Sequence, residues 1–144
     1  MENRKQADIG GLAHIGVPCR ALGESIAFYR KLGFSVVVNK KAVNGYDVAM
    51  VRKSDCMIEL YEKTGKKSGA GAQFARPDGR IDHIALKCTN IEQCYVEAQH
   101  MNFNILSEGI ETIPLWAPDE CRYFIISGPD EERIEFCEIT PARQ

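Results

Sequence analysis

Leu12-Ala13-His14-Ile15-Gly16-Val17 and Ile81-Asp82-His83-Ile84-Ala85-Leu86 are two versions of one phrase, and the residues after each stay in register. Counted from the histidine, Leu22 and Ile91 stand eight residues on, Ile26 and Tyr95 twelve, Tyr29 and Ala98 fifteen, and Leu32 and Met101 eighteen. That spacing is the apolar stripe of an amphipathic helix, so each phrase predicts a strand followed by a helix. At nineteen come Gly33 and Asn102, the residue types that best accept a left-handed conformation past a helix end, and at twenty Phe34 and Phe103. Thr89-x-x-Glu92 has the form of a capping box ahead of the second stripe.

Three strand-like runs come after each helix: residues 34–39, 46–52 and 56–62 in the first half, and 104–108, 122–127 and 133–139 in the second. Asn44-Gly45 and Gly128-Pro129-Asp130 supply turn chemistry between them. The halves also end alike, with Ile58-Glu59-Leu60-Tyr61-Glu62 echoed by Ile134-Glu135-Phe136-Cys137-Glu138. Between them, Gly65, Gly69, Gly71, Pro77 and Gly79 mark residues 64–80 as a linker by composition. The expected fold class is α+β: a single domain over residues 8–144, with βαβββ modules at 10–63 and 81–140 joined by that linker.

Composition agrees with this plan. A chain of 144 residues with 44% hydrophobic and 26% charged residues can bury its own core as one domain or two small ones. Eighteen basic against 20 acidic side chains, a net charge of −2, offers no footprint for nucleic acid. No apolar stretch approaches the roughly 18 residues of a membrane helix, so no membrane partner is expected. No hydrophobic segment follows the charged start Met1-Glu2-Asn3-Arg4-Lys5, which makes the cytoplasm the expected location. The six cysteines include no C-x-x-C pair and read as reduced, small buried hydrophobes.

Strand alternation assigns the faces. Ala13, Ile15 and Val17 suit packing on the helix and leave His14 on the other side; Ile58 and Leu60 do the same and leave Glu59 and Tyr61. In the second half Ile84 and Leu86 oppose His83, and Ile134 and Phe136 oppose Glu135. A strand histidine alone is more often a hydrogen-bonded structural residue, and a strand glutamate alone is more often solvated. The recurrence of both types at matching places in both halves favours a shared site. Two imidazoles and two carboxylates suit one borderline divalent metal: zinc, nickel, cobalt, manganese or ferrous iron. Glu62 and Glu138 fall on the helix side near strand ends, where a surface role is expected. His100 is expected to face solvent, and Asp82 to point away from the face of His83.

At these residues the chain resembles the vicinal oxygen chelate superfamily, which includes glyoxalase I, methylmalonyl-CoA epimerase, extradiol dioxygenases and the fosfomycin and bleomycin resistance proteins. The phrases that carry the resemblance are His14-Ile15-Gly16-Val17, the run Phe28-Tyr29-Arg30-Lys31-Leu32-Gly33-Phe34, Met57-Ile58-Glu59-Leu60, Asp82-His83-Ile84-Ala85, and Gly128-Pro129-Asp130 leading into Arg133-Ile134-Glu135-Phe136. The resemblance implies a glyoxalase-like fold, in which paired βαβββ modules form a cupped mixed sheet around a metal. It also implies His14, Glu59, His83 and Glu135 as ligands and a homodimer as the assembly.

The full two-His, two-Glu set looks most like glyoxalase I, a lactoylglutathione lyase. It implies an isomerase-type lyase that moves a proton next to a carbonyl of a small substrate with vicinal oxygens. By the same likeness Glu135 is ligand and proton shuttle, with Glu59 the second candidate, and the metal is nickel, cobalt or zinc. Pro18 and Lys63 stand where that enzyme usually carries a glutathione-binding arginine and an asparagine. The alternative is an epimerase of the methylmalonyl-CoA type, whose usual catalytic glutamate falls here on Val43 or Asn44. A non-catalytic, drug-sequestering binding protein is the rival from another class, and such relatives generally lack the ligands. Tyr46, Tyr61, Trp116 and Arg122 are the candidate substrate contacts. The stretch Ile113-Pro114-Leu115-Trp116-Ala117-Pro118 is either a lid or a rigid loop whose tryptophan packs on the core.

Overall fold

The computed structural model describes residues 6–64, 80–127, 131 and 133–143. Most of the linker expected at 64–80 and the Gly128-Pro129-Asp130 turn lie outside the described residues. The chain forms two compact units: His14–His83, and a second that joins Met1–Ala13 to Ile84–Gln144. The elements are α+β in kind and keep the repeated order read from the sequence.

The His14–His83 unit takes the second half of β1 (Asp8–Pro18), then α1 (Leu22–Lys31), β2 (Ser35–Val43), β3 (Tyr46–Lys53) and β4 (Cys56–Lys63). Its strands run in the order β2-β3-β4-β1. Two antiparallel hairpins make the first three, and β1 lies parallel to β4 with Gly16 opposite Glu59 and Pro18 opposite Tyr61. Asn44 and Gly45 close the β2–β3 hairpin at φ 51° and 90°, the left-handed pair that a two-residue turn matching strand twist requires. Leu22, Ile26 and Tyr29 lay α1 on Val17, Ala49, Val51, Ile58 and Leu60. Burying a leucine such as Leu60 contributes roughly 1.5–3 kcal/mol.

The second unit contains β5 (His83–Thr89) from Ile84 onward, α2 (Ile91–His100), β6 (Asn104–Ile105), β7 (Glu111–Ile113), β8 (Glu120–Ser127) and β9 (Arg133–Thr140). Strand order here is β5-β9-β8-β6, with β7 also pairing β8. Ile91, Cys94 and Ala98 of α2 pack with Phe124, Ile126 and Phe136. The strand expected over 104–108 is cut short. After Leu106 donates to the Ile125 carbonyl, the Ser107 hydroxyl takes the place of a backbone acceptor for the Ile125 N–H at 3.0 Å. Gly109, at φ 70°, then turns the chain, and β7 resumes the pairing with Ile113 opposite Cys121.

Several local expectations change. Gly33 and Asn102 do adopt positive φ, 95° and 59°, but the stripe ends before them. Leu32 and Met101 cap their helices and are exposed. Asn90, not Thr89, is the N-cap of α2: its side chain accepts from the Gln93 N–H, while Thr89 Oγ1 accepts from the Asp8 N–H. Ile84, expected on the helix side, is 39% exposed.

Glu62 and Glu138 also do more than sit on the surface. Glu62 accepts from the Leu22 N–H at 3.3 Å, where the N-cap of α1 is Ala21 and offers no side-chain oxygen. Glu138 accepts from the N–H groups of Asn90 and Ile91 at 3.0 and 3.2 Å. Each unit thus brings a carboxylate from its last strand to the positive end of its own helix. Of the six cysteines, five are buried and Cys56 is exposed. No helix among the described residues is long and apolar enough to cross a membrane.

Candidate metal centre

Three of the expected ligands meet within the His14–His83 unit. Parallel pairing of β1 with β4 sets Gly16 beside Glu59, so His14, two residues earlier on the same face, leans toward the glutamate. His83 closes the unit from its far end, where the Asp82 N–H donates to the Gly16 carbonyl at 2.8 Å. His14 Nε2 lies 3.1 Å from His83 Nε2, and Glu59 Oε1 lies 3.4 Å from His83 Nε2 and 3.8 Å from His14 Nε2. His14 and His83 are 8% and 7% exposed, low values for a residue type that usually keeps contact with water.

This donor set fits a divalent ion. Atoms held about 2.1 Å from one metal sit roughly 3.0–3.4 Å from one another in octahedral or tetrahedral arrangements. Two of the three separations fall in that range and the third is a few tenths of an ångström beyond it. Two ring nitrogens facing each other cannot both present lone pairs unless a proton or a cation lies between them. Burial pushes the Glu59 carboxyl up, but the neighbouring imidazoles of His14 and His83 outweigh it and hold it at about 2. The glutamate is therefore an anion poised between two imidazoles.

Glycine at position 16 is a condition of this geometry. A Cβ there would overlap the ring of His83, standing 2.6 Å from Nε2. Asp82, expected to point elsewhere, places Oδ2 2.9 Å from His83 Nδ1. The expectation failed because Asp82 precedes β5, so strand alternation does not govern its side chain. Tyr61, buried on β4, tilts its ring toward His83 at 6.3 Å between centroids, and Tyr46 meets Tyr61 edge-on at 5.5 Å.

The other expected residues belong to the second unit. Glu135 is buried on β9, opposite Ile125 of β8. Arg122 is engaged by three carboxylates: it bonds Glu92, lies 3.1 Å from Glu120 through Nε, and reaches Glu138 at 3.5 Å. That cluster ties Arg122 to Glu92 and Glu138, the carboxylates at the positive start of α2. Trp116 ends a short 3₁₀ turn, Pro114–Trp116, in which Leu115, not the tryptophan, is the buried anchor. Signals for Asp82 and for the two helix-capping glutamates were present only as neighbours of better-recognised residues.

The chain also has recognisable relatives. A family model described as the Glyoxalase/Bleomycin resistance protein/Dioxygenase superfamily matches residues 11–136. The uncharacterised protein YwbC of Bacillus subtilis (strain 168) is 33% identical over 128 residues, covering 85% of this chain and 93% of that protein. Among solved structures, a Streptomyces coelicolor methylmalonyl-CoA epimerase variant in complex with 2-nitronate-propionyl-CoA has a TM-score of 0.77 at 18% identity, covering 95% of this chain and 99% of that one. The methylmalonyl-CoA epimerase from Mycobacterium tuberculosis has a TM-score of 0.72 at 20% identity, covering 91% of this chain and 89% of that one.

Proposed function

The chain belongs to the Glyoxalase/Bleomycin resistance protein/Dioxygenase superfamily, and from that premise we propose that it is a metal-dependent enzyme moving a proton on a carbon next to a carbonyl. The observation that carries this reading is the convergence of His14 Nε2, His83 Nε2 and Glu59 Oε1 at spacings a single divalent ion would bridge. Those residues hold the ion, with Glu135 proposed as the fourth ligand from its matching place in the repeat. Nickel, cobalt and zinc suit the donors best, with manganese and iron also compatible. When bound, the ion supplies Lewis acidity toward the vicinal oxygens of a substrate.

The protein side of the chemistry is assigned to carboxylates. Glu135 takes the proton from the α-carbon and returns it, and Glu59 is the second candidate. Tyr46 and Tyr61 line the substrate side; Trp116 is proposed as a peripheral contact. The guanidinium of Arg122 is already shared by three glutamates, so substrate contact is assigned to the other three residues.

For the substrate, structural likeness to methylmalonyl-CoA epimerases supports epimerisation of an acyl-CoA ester. Pro18 and Lys63 count against the glutathione-linked lyase, since neither can make the contacts of an arginine and an asparagine. Val43 ends β2 and Asn44 begins the tight turn after it, and neither carries a carboxylate, so the acid–base work is assigned to Glu135. The enzyme is read as a homodimer working in the cytoplasm.

The test is metal content followed by turnover. Purified protein is expected to hold about one equivalent of divalent metal, the stoichiometry of a closed set of ligands. The loaded protein is expected to exchange the α-proton of methylmalonyl-CoA for deuterium in heavy water. Exchange only with the hemithioacetal of methylglyoxal and glutathione would move the assignment to the lyase. Failure to bind metal after soaking would leave the binding-protein reading in its place.

A further inference from the structure

We infer that Asp82 is a positioning residue that sets the tautomer and angle of His83, so that the ring presents Nε2 as a lone pair to the metal centre. This rests on the reading of His14, Glu59 and His83 as ligands. Three features of one unit bear on the same ring. Asp82 Oδ2 lies 2.9 Å from His83 Nδ1, and both side chains are 7% exposed, so water competes little for either. The Asp82 backbone N–H donates to the Gly16 carbonyl at 2.8 Å, which pins the residue that carries the carboxylate. Gly16 itself leaves the space the imidazole fills, where a Cβ would overlap the ring.

The chemistry of imidazole supplies the reason. A neutral ring has one N–H and one lone pair, and the hydrogen bond made by one nitrogen decides the state of the other. A carboxylate facing Nδ1 accepts its N–H, so the lone pair is left on Nε2. That is the nitrogen 3.1 Å from His14 Nε2 and 3.4 Å from Glu59 Oε1. Carboxylate partners of this kind fix the orientation of metal-binding histidines and raise their basicity. At His14 the preceding residue is Ala13, which has no such group. The repeat therefore supplies the aspartate to one of its two histidines.

Wild-type protein, Asp82→Ala and Asp82→Asn decide the matter in two measurements. Cobalt affinity by competition with a chelator is expected to fall about 10–100-fold in Asp82→Ala. Asp82→Asn, whose carbonyl can still accept from Nδ1, is expected to lose less than about tenfold. In metal-free protein labelled with ¹⁵N-histidine and held at a pH alkaline enough to make the ring neutral, His83 is expected in the Nδ1–H form in wild type and in Asp82→Asn, and in a mixture of tautomers in Asp82→Ala. A merely structural aspartate would lower the unfolding temperature without moving the tautomer. Asp82→Ala protein that binds cobalt as tightly as wild type, or keeps His83 in the Nδ1–H form, would overturn the assignment. Wild-type protein that binds no cobalt would instead overturn the metal centre, and the tautomer would still judge Asp82.

Discussion

The two repeats carry the same residue types at the same strand positions and surround them differently. His14 is preceded by Ala13, with Gly16 two residues on; His83 is preceded by Asp82, with Ala85 two residues on. The differences are reciprocal. Gly16 makes room for the ring of His83, and Asp82 grips that same ring, so both departures from symmetry serve one histidine. The helix termini show a second asymmetry. Glu62 makes one hydrogen bond to the start of α1, whereas Glu138 makes two to the start of α2 and is itself held by Arg122. Duplication explains where chemistry-bearing residues recur, and divergence around them explains which copy is held more tightly.

The comparison between the repeats is open to three direct tests. The largest effect is expected from the paired glutamates. Glu135→Gln should cut turnover by about 10²–10⁴-fold, the range for loss of a general acid–base group, while the protein stays folded. Glu59→Gln should act mainly through weaker metal binding, read by chelator competition beside the rate assay. Near-normal turnover in Glu135→Gln would end the proposed division of labour.

Next in size is the exchange of small residues after each histidine. Gly16→Ala drives a methyl group into His83 and should weaken cobalt binding by about 10–100-fold, the scale of a disturbed ligand. Ala85→Gly removes the equivalent methyl from a fully buried site and should leave metal affinity unchanged. It should still cost roughly 0.5–1 kcal/mol of stability through backbone entropy. Equal metal affinities in the two variants would show that the close approach of His83 to Gly16 does not matter.

The smallest effect separates the helix caps. Glu62→Ala removes one acceptor from α1 and should cost about 0.5–1 kcal/mol, the lower part of the range for lost caps. Glu138→Ala should cost more, about 1–2 kcal/mol, because two N–H groups lose their acceptor and Arg122 loses a partner. Urea unfolding of the two variants gives both numbers. A larger loss for Glu62→Ala would reverse the ranking of the two termini.

Much of this molecule was legible in one dimension because a repeat is visible without coordinates. The helix stripe found Leu22, Ile26 and Tyr29, and alternation found the shared face of Glu59 and Tyr61. Expectations failed where those rules stop. Alternation does not extend to Asp82, one residue before its strand. The stripe ran on to Leu32 and Met101, which lie past the last helical residue and face solvent. The strand expected at 104–108 is interrupted because a side chain, Ser107, replaces a backbone partner, and no periodicity encodes that. The charge of Arg122 suggests a substrate contact in the sequence, yet three glutamates from α2, β8 and β9 already surround it.

By itself the sequence determined the fold class and nominated the two modules and the candidate ligand residues, because hydrophobic period and repeated side-chain type are local properties of the chain. Only the tertiary structure decided that His14, Glu59 and His83 meet within a few ångströms, that Asp82 faces Nδ1 of His83, and that Gly16 must lack a side chain. Those facts depend on the parallel register of β1 with β4 and on where a distant strand begins. Distances between residues remote in sequence are set by packing, and packing is not written in any single window of it.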